Sequence, residues 1–245
     1  MDFSEKTCIL VYRRNAVAEA IRSRKARKIY FDNKHVKDPL FEEAKLLNIP
    51  TEVVSPERLS QISNTASHQG MAAVCPAFEE LSLRDLIAQA KGVDHPLIVV
   101  LDGIEDPHNL GAILRSCDAF RISGIVMKSH GNAPLNSTVA NVSTGAIFYV
   151  PVATVPNLNQ ALAELKDAGF WIVASEGSAT QSYEDIDYDR NLAIIVGSEG
   201  FGISKNVLKN SDYIVKIPMF GHVNSLNASV AAGILVSYAR TKQHG

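Results

Sequence analysis

Side chains able to do chemistry gather in three stretches, each entered from an apolar run. LDGIEDPHNLGAILRS (101–116) holds Asn109 and, six residues on, Arg115. IVGSEGFGIS (195–204) holds Glu199 among Gly197, Gly200 and Gly202. IPMFGHVNSLNASVAAGIL (217–235) holds His222, Asn224, Ser225 and Asn227 ahead of a helix of small apolar residues. Asn109 is placed to cap a helix whose apolar face is Leu110, Ile113, Leu114 and Cys117, which turns Arg115 towards the other face. Ser225 or Asn227 can cap the last helix, but a cap needs only one of them, so the cluster asks for a further role. These groups orient by hydrogen bonding and grip anions. The carboxylates Asp102, Glu105 and Asp106 fit a turn and cap better than a metal site.

Several chemistries are excluded. The glycines after 196 are spaced GxxGxG, not GxGxxG, and no GxxxxGK[ST] occurs, which disfavours a nucleotide-dependent oxidoreductase and a phosphate-loop enzyme. Cys8, Cys75 and Cys117 are odd in number and far apart, and the seven His show no HxxxH spacing. A disulfide framework or zinc site is not expected, and a reducing cytoplasm is. The opening MDFSEKTCILVYRR lacks the basic and apolar regions of a signal peptide, and no apolar run reaches membrane-spanning length. The net charge of −2 is unevenly spread: up to Pro76 there are 12 Lys and Arg against 9 Asp and Glu, or +3, and the remainder is −5. RSRKARK (22–28) carries most of the excess, either as a solvated face or as a patch for phosphates.

The elements that must hold these groups are legible from periodicity. Short continuous runs rich in Val and Ile at 97–101, 124–127, 171–174, 192–196 and 213–217 predict parallel strands covered on both faces. Helical patterns at 109–120, 137–147, 157–168, 204–210 and 226–240 alternate with them, giving a doubly wound α/β domain over 96–245. The three polar stretches then lie at strand exits, where ligands bind in such sheets. Residues 1–76 predict a smaller α/β unit with strands at 8–12, 28–31, 51–55 and 70–76 and helices at 15–23, 38–49 and 56–63. A linker at 77–95 carries one short helix, 82–91.

With all three stretches in view, the sequence resembles the SpoU/TrmH family of RNA ribose 2′-O-methyltransferases, of the SPOUT superfamily. DPHNLGAILRSCDAFRISGIVM, IVGSEGFGIS and IPMFGHVNSLNASVAAGIL carry the match, in that order. The two-domain layout is similar to bacterial 23S rRNA guanosine-2′-O-methyltransferases. The resemblance implies a parallel sheet with a deep trefoil knot, preceded by an L30e-like RNA-binding domain that ends near HQGMAA (68–73). It also implies a homodimer with the site near its interface, and S-adenosyl-L-methionine as cofactor; with a donor already activated, no metal is needed.

By that resemblance Asn109, Arg115, Glu199, Ser225 and Asn227 are the catalytic set. Ala174, Gly197, Gly200, Ile217, Met219 and Leu226 hold the cofactor, with ASEG (174–177) closing over it. The reaction is an in-line attack of a ribose 2′-hydroxyl on a sulfonium methyl, so the main task is positioning. Arg115 is either the general base, which a guanidinium suits poorly, or a phosphate clamp, which its fork suits well. Glu199 is expected to pair with Arg115. The basic run Arg22, Arg24, Lys25, Arg27 and Lys28 is expected to meet RNA phosphates. Two positions depart from the family pattern: Arg13, where Gly is frequent, and Phe148, where an acidic residue is frequent nearby. The target RNA, rRNA or tRNA, stays open at this point. The rival class is an L30e-like RNA-binding protein without catalysis.

Overall fold

The protein is described from a computed structural model that covers residues 7–244; the first six residues of the opening stretch lie outside the described residues. Its contacts divide it into two units, Met1–Glu79 with Pro134–Tyr149, and Glu80–Ala133 with Val150–Gly245.

In the first unit, strands β1 (Cys8–Tyr12), β2 (Lys28–Asp32), β3 (Thr51–Val54) and β4 (Met71–Pro76) form a sheet of order β1-β4-β2-β3. β4 runs antiparallel to both neighbours, and β2 pairs parallel with β3. Helix α1 (Arg14–Arg22) buries Ala16, Val17, Ala18, Ala20 and Ile21, a small-residue face that lies flat on the sheet. α2 (Pro39–Leu46) starts at Asp38, whose side chain accepts from the Leu40 N–H, and α3 (Pro56–Ser63) at Ser55, which accepts from Arg58. Proline at the first position of each helix sacrifices no hydrogen bond.

Residues 134–149 group with this unit, although the pattern at 137–147 was expected to serve the larger sheet. Side chains on α6 (Ser137–Val142) complete the open edge of β1. Ser137 Oγ accepts from the Leu10 N–H (3.0 Å), Asn141 Oδ1 accepts from the Tyr12 N–H (2.7 Å), and Asn141 Nδ2 donates to the Leu10 carbonyl (3.1 Å). An unpaired strand edge is satisfied by side chains, and a pattern of local periodicity cannot show that. The expected helix also stops early. Thr144 and Gly145 take positive φ (57° and 89°), and a 3-10 turn, Ala146–Phe148, follows.

The second unit opens on α4 (Leu83–Ala90), capped by Ser82 on the Asp85 N–H. Leu83, Leu86, Ile87 and Ala90 enter this unit's core, so the stretch expected as linker is packed structure from residue 80 on. Seven parallel strands follow: β5 (Leu97–Asp102), β6 (Gly124–Lys128), β7 (Val152–Val155), β8 (Trp171–Ser175), β9 (Gln181–Ser182), β10 (Leu192–Gly197) and β11 (Tyr213–Lys216). Their order is β7-β6-β5-β10-β8-β11-β9. β5 is buried along its whole length and β10 up to Val196, as a parallel sheet covered on both faces requires. β7 and β9 were not expected.

Helices α5 (Pro107–Ala119), α7 (Leu158–Asp167), α8 (Lys205–Lys209) and α9 (Ala228–His244) cover the sheet. α9 packs on α5, with Gly233 set against Ser116. Arg240, 8% exposed, fastens this pair. Its guanidinium donates to the carbonyls of Phe120 (3.0 Å), Arg121 (2.8 Å) and His95 (3.1 Å), so a buried cation is satisfied by main chain.

Candidate functional site

The carboxyl ends of β8, β10 and β11 open onto a cleft of about 310 Å³. Ser175 and Glu176 line it after β8, Gly197 and Glu199 after β10, and Ile217 and Met219 after β11. Ser225 and Leu226, ahead of α9, close the wall.

The loop 198–202 is drawn shut by its own main chain. The Ser198 N–H donates to the Gly202 carbonyl (3.2 Å) and the Gly202 N–H to the Ser198 carbonyl (3.0 Å). Gly202 thereby crosses directly over Gly197, where a β-carbon would stand 2.3 Å from the Gly202 carbonyl carbon. Only glycine fits at 197.

Glu199 rides on this loop and joins three elements. Its Oε1 accepts from Asn109 Nδ2 (2.9 Å), from Asn227 Nδ2 and from the Ala228 N–H (3.3 Å). Asn227 caps α9: its Oδ1 accepts from the N–H groups of Ser229 (3.0 Å) and Val230 (3.3 Å), while its amide also donates to Asn109 Oδ1 (2.9 Å). A carboxylate at a helix N-terminus is favoured by the helix dipole. Of the polar cluster, Asn227 is both the cap and part of the junction, while Asn224 and Ser225 line the cleft.

α5 is capped by Asp106, whose side chain accepts from the His108 N–H (2.8 Å), not by Asn109. Asn109 sits inside the first turn, which frees its amide to reach Glu199. The expected pairing of Glu199 with Arg115 is not formed: among the described residues no ion pair joins them, and Glu199 is occupied by Asn109, Asn227 and Ala228. Arg115 is exposed on α5, roughly 9 Å along the axis from Asn109 and on another face.

A second cavity of about 440 Å³ shares the 198–202 loop and adds Asn109, Asp106 and Lys128. At its base Asp102 is buried, which by itself would raise its carboxyl. Lys128 Nζ at 2.7 Å and the Ser204 N–H at 2.9 Å outweigh burial and hold it below the ordinary carboxylate value. Asp102 thus stays a structural anion that ties β5 to β6 and to the chain before α8.

Of the expected cofactor residues, Gly197, Gly200, Ile217, Met219 and Leu226 line the first cleft. Ala174 does not. It is fully buried within β8, and the next residues, Ser175 and Glu176, reach the cleft instead. Glu176 belongs to the ASEG segment expected to close over the cofactor and does line the cleft, and Ser198, within IVGSEGFGIS but not singled out there, lines both cavities. Phe201, 98% exposed, stands between the two cavities and lines both. No cluster of His, Cys, Asp and Glu among the described residues could hold a metal ion.

In the first unit the basic run is only partly committed to the fold. Arg22 pairs with Glu19 (2.7 Å) and Lys28 with Glu52 (2.6 Å). Arg24, Lys25 and Arg27 are exposed and have no carboxylate partner among the described residues. No described helix is long and apolar enough to cross a membrane.

Comparison with known proteins places this geometry in a class. The fold is shared with the SpoU methyltransferase AviRb of Streptomyces viridochromogenes, solved with AdoMet, at TM-score 0.82 and 21% identity over 97% of this chain and 91% of that one. It is shared too with a TrmH family RNA methyltransferase structure from Porphyromonas gingivalis, at TM-score 0.75 and 26% identity over 96% and 90%. Residues 96–237 match the SpoU rRNA Methylase family, and 10–81 match the RNA 2′-O ribose methyltransferase substrate-binding family. A Staphylococcus epidermidis protein, named for the TrmH family tRNA/rRNA methyltransferases, is 40% identical over 241 residues, 96% of each chain. The chain belongs to the SpoU/TrmH family of RNA methyltransferases.

Proposed function

We propose that the protein transfers a methyl group from S-adenosylmethionine to a ribose 2′-hydroxyl of RNA, with a guanosine of 23S rRNA as target. One observation carries this reading: the Glu199 junction with Asn109 and Asn227 stands on the rim of the cleft walled by Gly197, Ile217, Met219 and Leu226. The cleft suits the cofactor. Its volume is at the lower end of the small-ligand range, it is lined by Gly197, where no side chain fits, and Glu176 offers a carboxylate to a cation.

Bound there, S-adenosylmethionine would supply a methyl group already activated on a sulfonium. The chain then has to align and exclude. Main chain around Ile217, Met219 and Leu226 holds the adenine and methionine parts, Ser225 and Asn109 face the ribose, and Arg115 clamps a neighbouring phosphate. The stretch that matches the substrate-binding family, 10–81, is read as an L30e-like RNA-recognition part, and the stretch that matches the SpoU methylase family, 96–237, as the part that carries the transfer. The order in which β10 lies between β5 and β8 supports a C-terminal segment threaded as a trefoil knot. The position of Arg115 outside both cavities supports a homodimer in which it serves a site at the interface, and an RNA substrate supports a cytoplasmic location.

The test is incubation with methyl-labelled S-adenosylmethionine and either ribosomal RNA or tRNA, followed by mapping of 2′-O-methyl nucleotides. Label on a base, or on neither RNA, would sink the reading. Label on tRNA alone would retain the reaction and replace the target.

Two outcomes follow from the same geometry. Glu199→Ala removes the shared acceptor of Asn109, Asn227 and the Ala228 N–H, and should lower the single-turnover rate by roughly 10²-fold or more. Glu199→Gln keeps an accepting oxygen and should lose clearly less. Equal rates for both variants would remove the junction from the mechanism. Reversing Arg24, Lys25 and Arg27 to Glu should weaken RNA binding and lower the slope of log affinity against log salt by about 2, at roughly 0.7 per phosphate contact. An unchanged slope would make the run a solvated face.

A further inference from the structure

The turn from β1 into α1 holds an unusual residue. Arg13 has φ 73° and ψ 145°, at the edge of a region that residues with a β-carbon hardly populate and glycine enters freely. Such strain persists only where the surroundings over-determine it, and here they do. The Arg13 N–H donates to the His68 carbonyl (3.2 Å), and the next N–H, of Arg14, donates to Gln69 Oε1 (3.2 Å). His68 is itself buried and fixed, its Nδ1 accepting from the Gly70 N–H (3.0 Å) and its Nε2 lying 3.1 Å from Ser60 Oγ. Segment 68–70 therefore dictates the backbone at 13, and glycine would meet that demand without strain.

The side chain carried at this strained turn is not needed by the fold. Arg13 is exposed, caps nothing, and pairs with no carboxylate among the described residues; its guanidinium lies 5.7 Å from the centre of the Tyr12 ring. Arg14 beside it is already committed to Asp38 through two contacts, at 3.0 and 3.3 Å. One uncompensated guanidinium is thus held out from a turn of the unit that matches the RNA substrate-binding family. Strain of this kind concentrates where a side chain is kept for a ligand.

We propose that Arg13 is an RNA-contacting residue of the small unit, gripping a backbone phosphate of the substrate through its guanidinium fork. The inference rests on the RNA-methylating reading and adds a contact site distinct from the 22–28 run.

Two variants of the full-length protein separate strain from charge. Arg13→Ala keeps the β-carbon and loses the guanidinium; Arg13→Gly loses both. Binding to protein-free ribosomal RNA, titrated at several salt concentrations, should weaken roughly tenfold in both variants, with the salt slope reduced by about 0.7. In thermal melts only Arg13→Gly should gain, by about 2–4 °C, the extra freedom of glycine in the unfolded chain offsetting part of the relief. Arg13→Lys should recover part of the affinity and none of the stability. Unchanged affinity and slope in Ala and Gly, with wild type binding, would overturn the proposal and leave the RNA reading standing. A Gly variant no more stable than wild type would overturn it as well, since Arg13 would then not be held against strain. Failure of wild type to bind ribosomal RNA or tRNA would bring down both.

Discussion

Arg115→Ala is expected to abolish methyl transfer, by at least about 10³-fold, while S-adenosylmethionine binds with unchanged affinity. Arg115 is exposed on α5, makes no ion pair among the described residues and lines neither cavity. Truncating it removes no packing, so stability should stay within about 0.5 kcal/mol of wild type, and the cofactor cleft should keep its shape. Any large loss of rate then has to come from what Arg115 meets outside its own chain, an RNA phosphate or the site of a second copy. The structure sharpens this test, because Glu199 does not orient Arg115 and cannot transmit the effect. Arg115→Lys divides the remaining roles. A phosphate clamp keeps its charge and loses its fork, so a partial rate should survive, and added salt should depress that residue of activity further. Single-turnover transfer measured beside calorimetry with the cofactor decides. Near-normal turnover by Arg115→Ala would remove the residue from the reaction, and a parallel loss of cofactor binding would assign it to the cleft.

The parts legible in the sequence were those governed by local pattern. Five apolar runs became β5, β6, β8, β10 and β11 because strands buried on both faces cannot hide their composition. β7 lies outside those runs because VATV is only four residues long, with Pro151 and Pro156 on either side of it. The allegiance of 134–149 to the first unit rests on Ser137 and Asn141 meeting a strand some 130 residues earlier, which periodicity does not encode. In the site, residue types were legible and connections were not. Asn109, Glu199 and Asn227 were picked out together, but the pairing of Glu199 with Arg115 was wrong, because charge complementarity ignores where the loop 198–202 delivers a carboxylate. Arg13 is the converse case. Its departure from the glycine frequent in the family was visible at once, and its meaning needed a backbone angle.

That same loop leaves Gly197 unable to accept a methyl group without backbone movement. A β-carbon there would lie 2.3 Å from the Gly202 carbonyl carbon, 2.4 Å from its oxygen and 2.6 Å from the Ile203 nitrogen. All three are main chain, so no side-chain rotation can relieve the clash. Either β10 moves, which its pairing with both β5 and β8 resists, or the Ser198–Gly202 closure opens. The loop is the softer choice, and opening it carries Glu199 away from Asn109, Asn227 and the Ala228 N–H. Gly197→Ala should therefore lose about 1–3 kcal/mol of stability, read as a fall of roughly 2–10 °C in Tm, together with cofactor affinity and at least about 10²-fold in rate. Gly200, on the same loop, gives the control: a β-carbon there meets nothing within 4 Å, and Gly200→Ala should leave Tm nearly unchanged. Wild-type stability and rate in Gly197→Ala would mean that the loop does not have to close for the chemistry. A fall in rate and affinity confined to Gly197→Ala would tie the shape of the cleft to the crossing of the Gly202 backbone over Gly197.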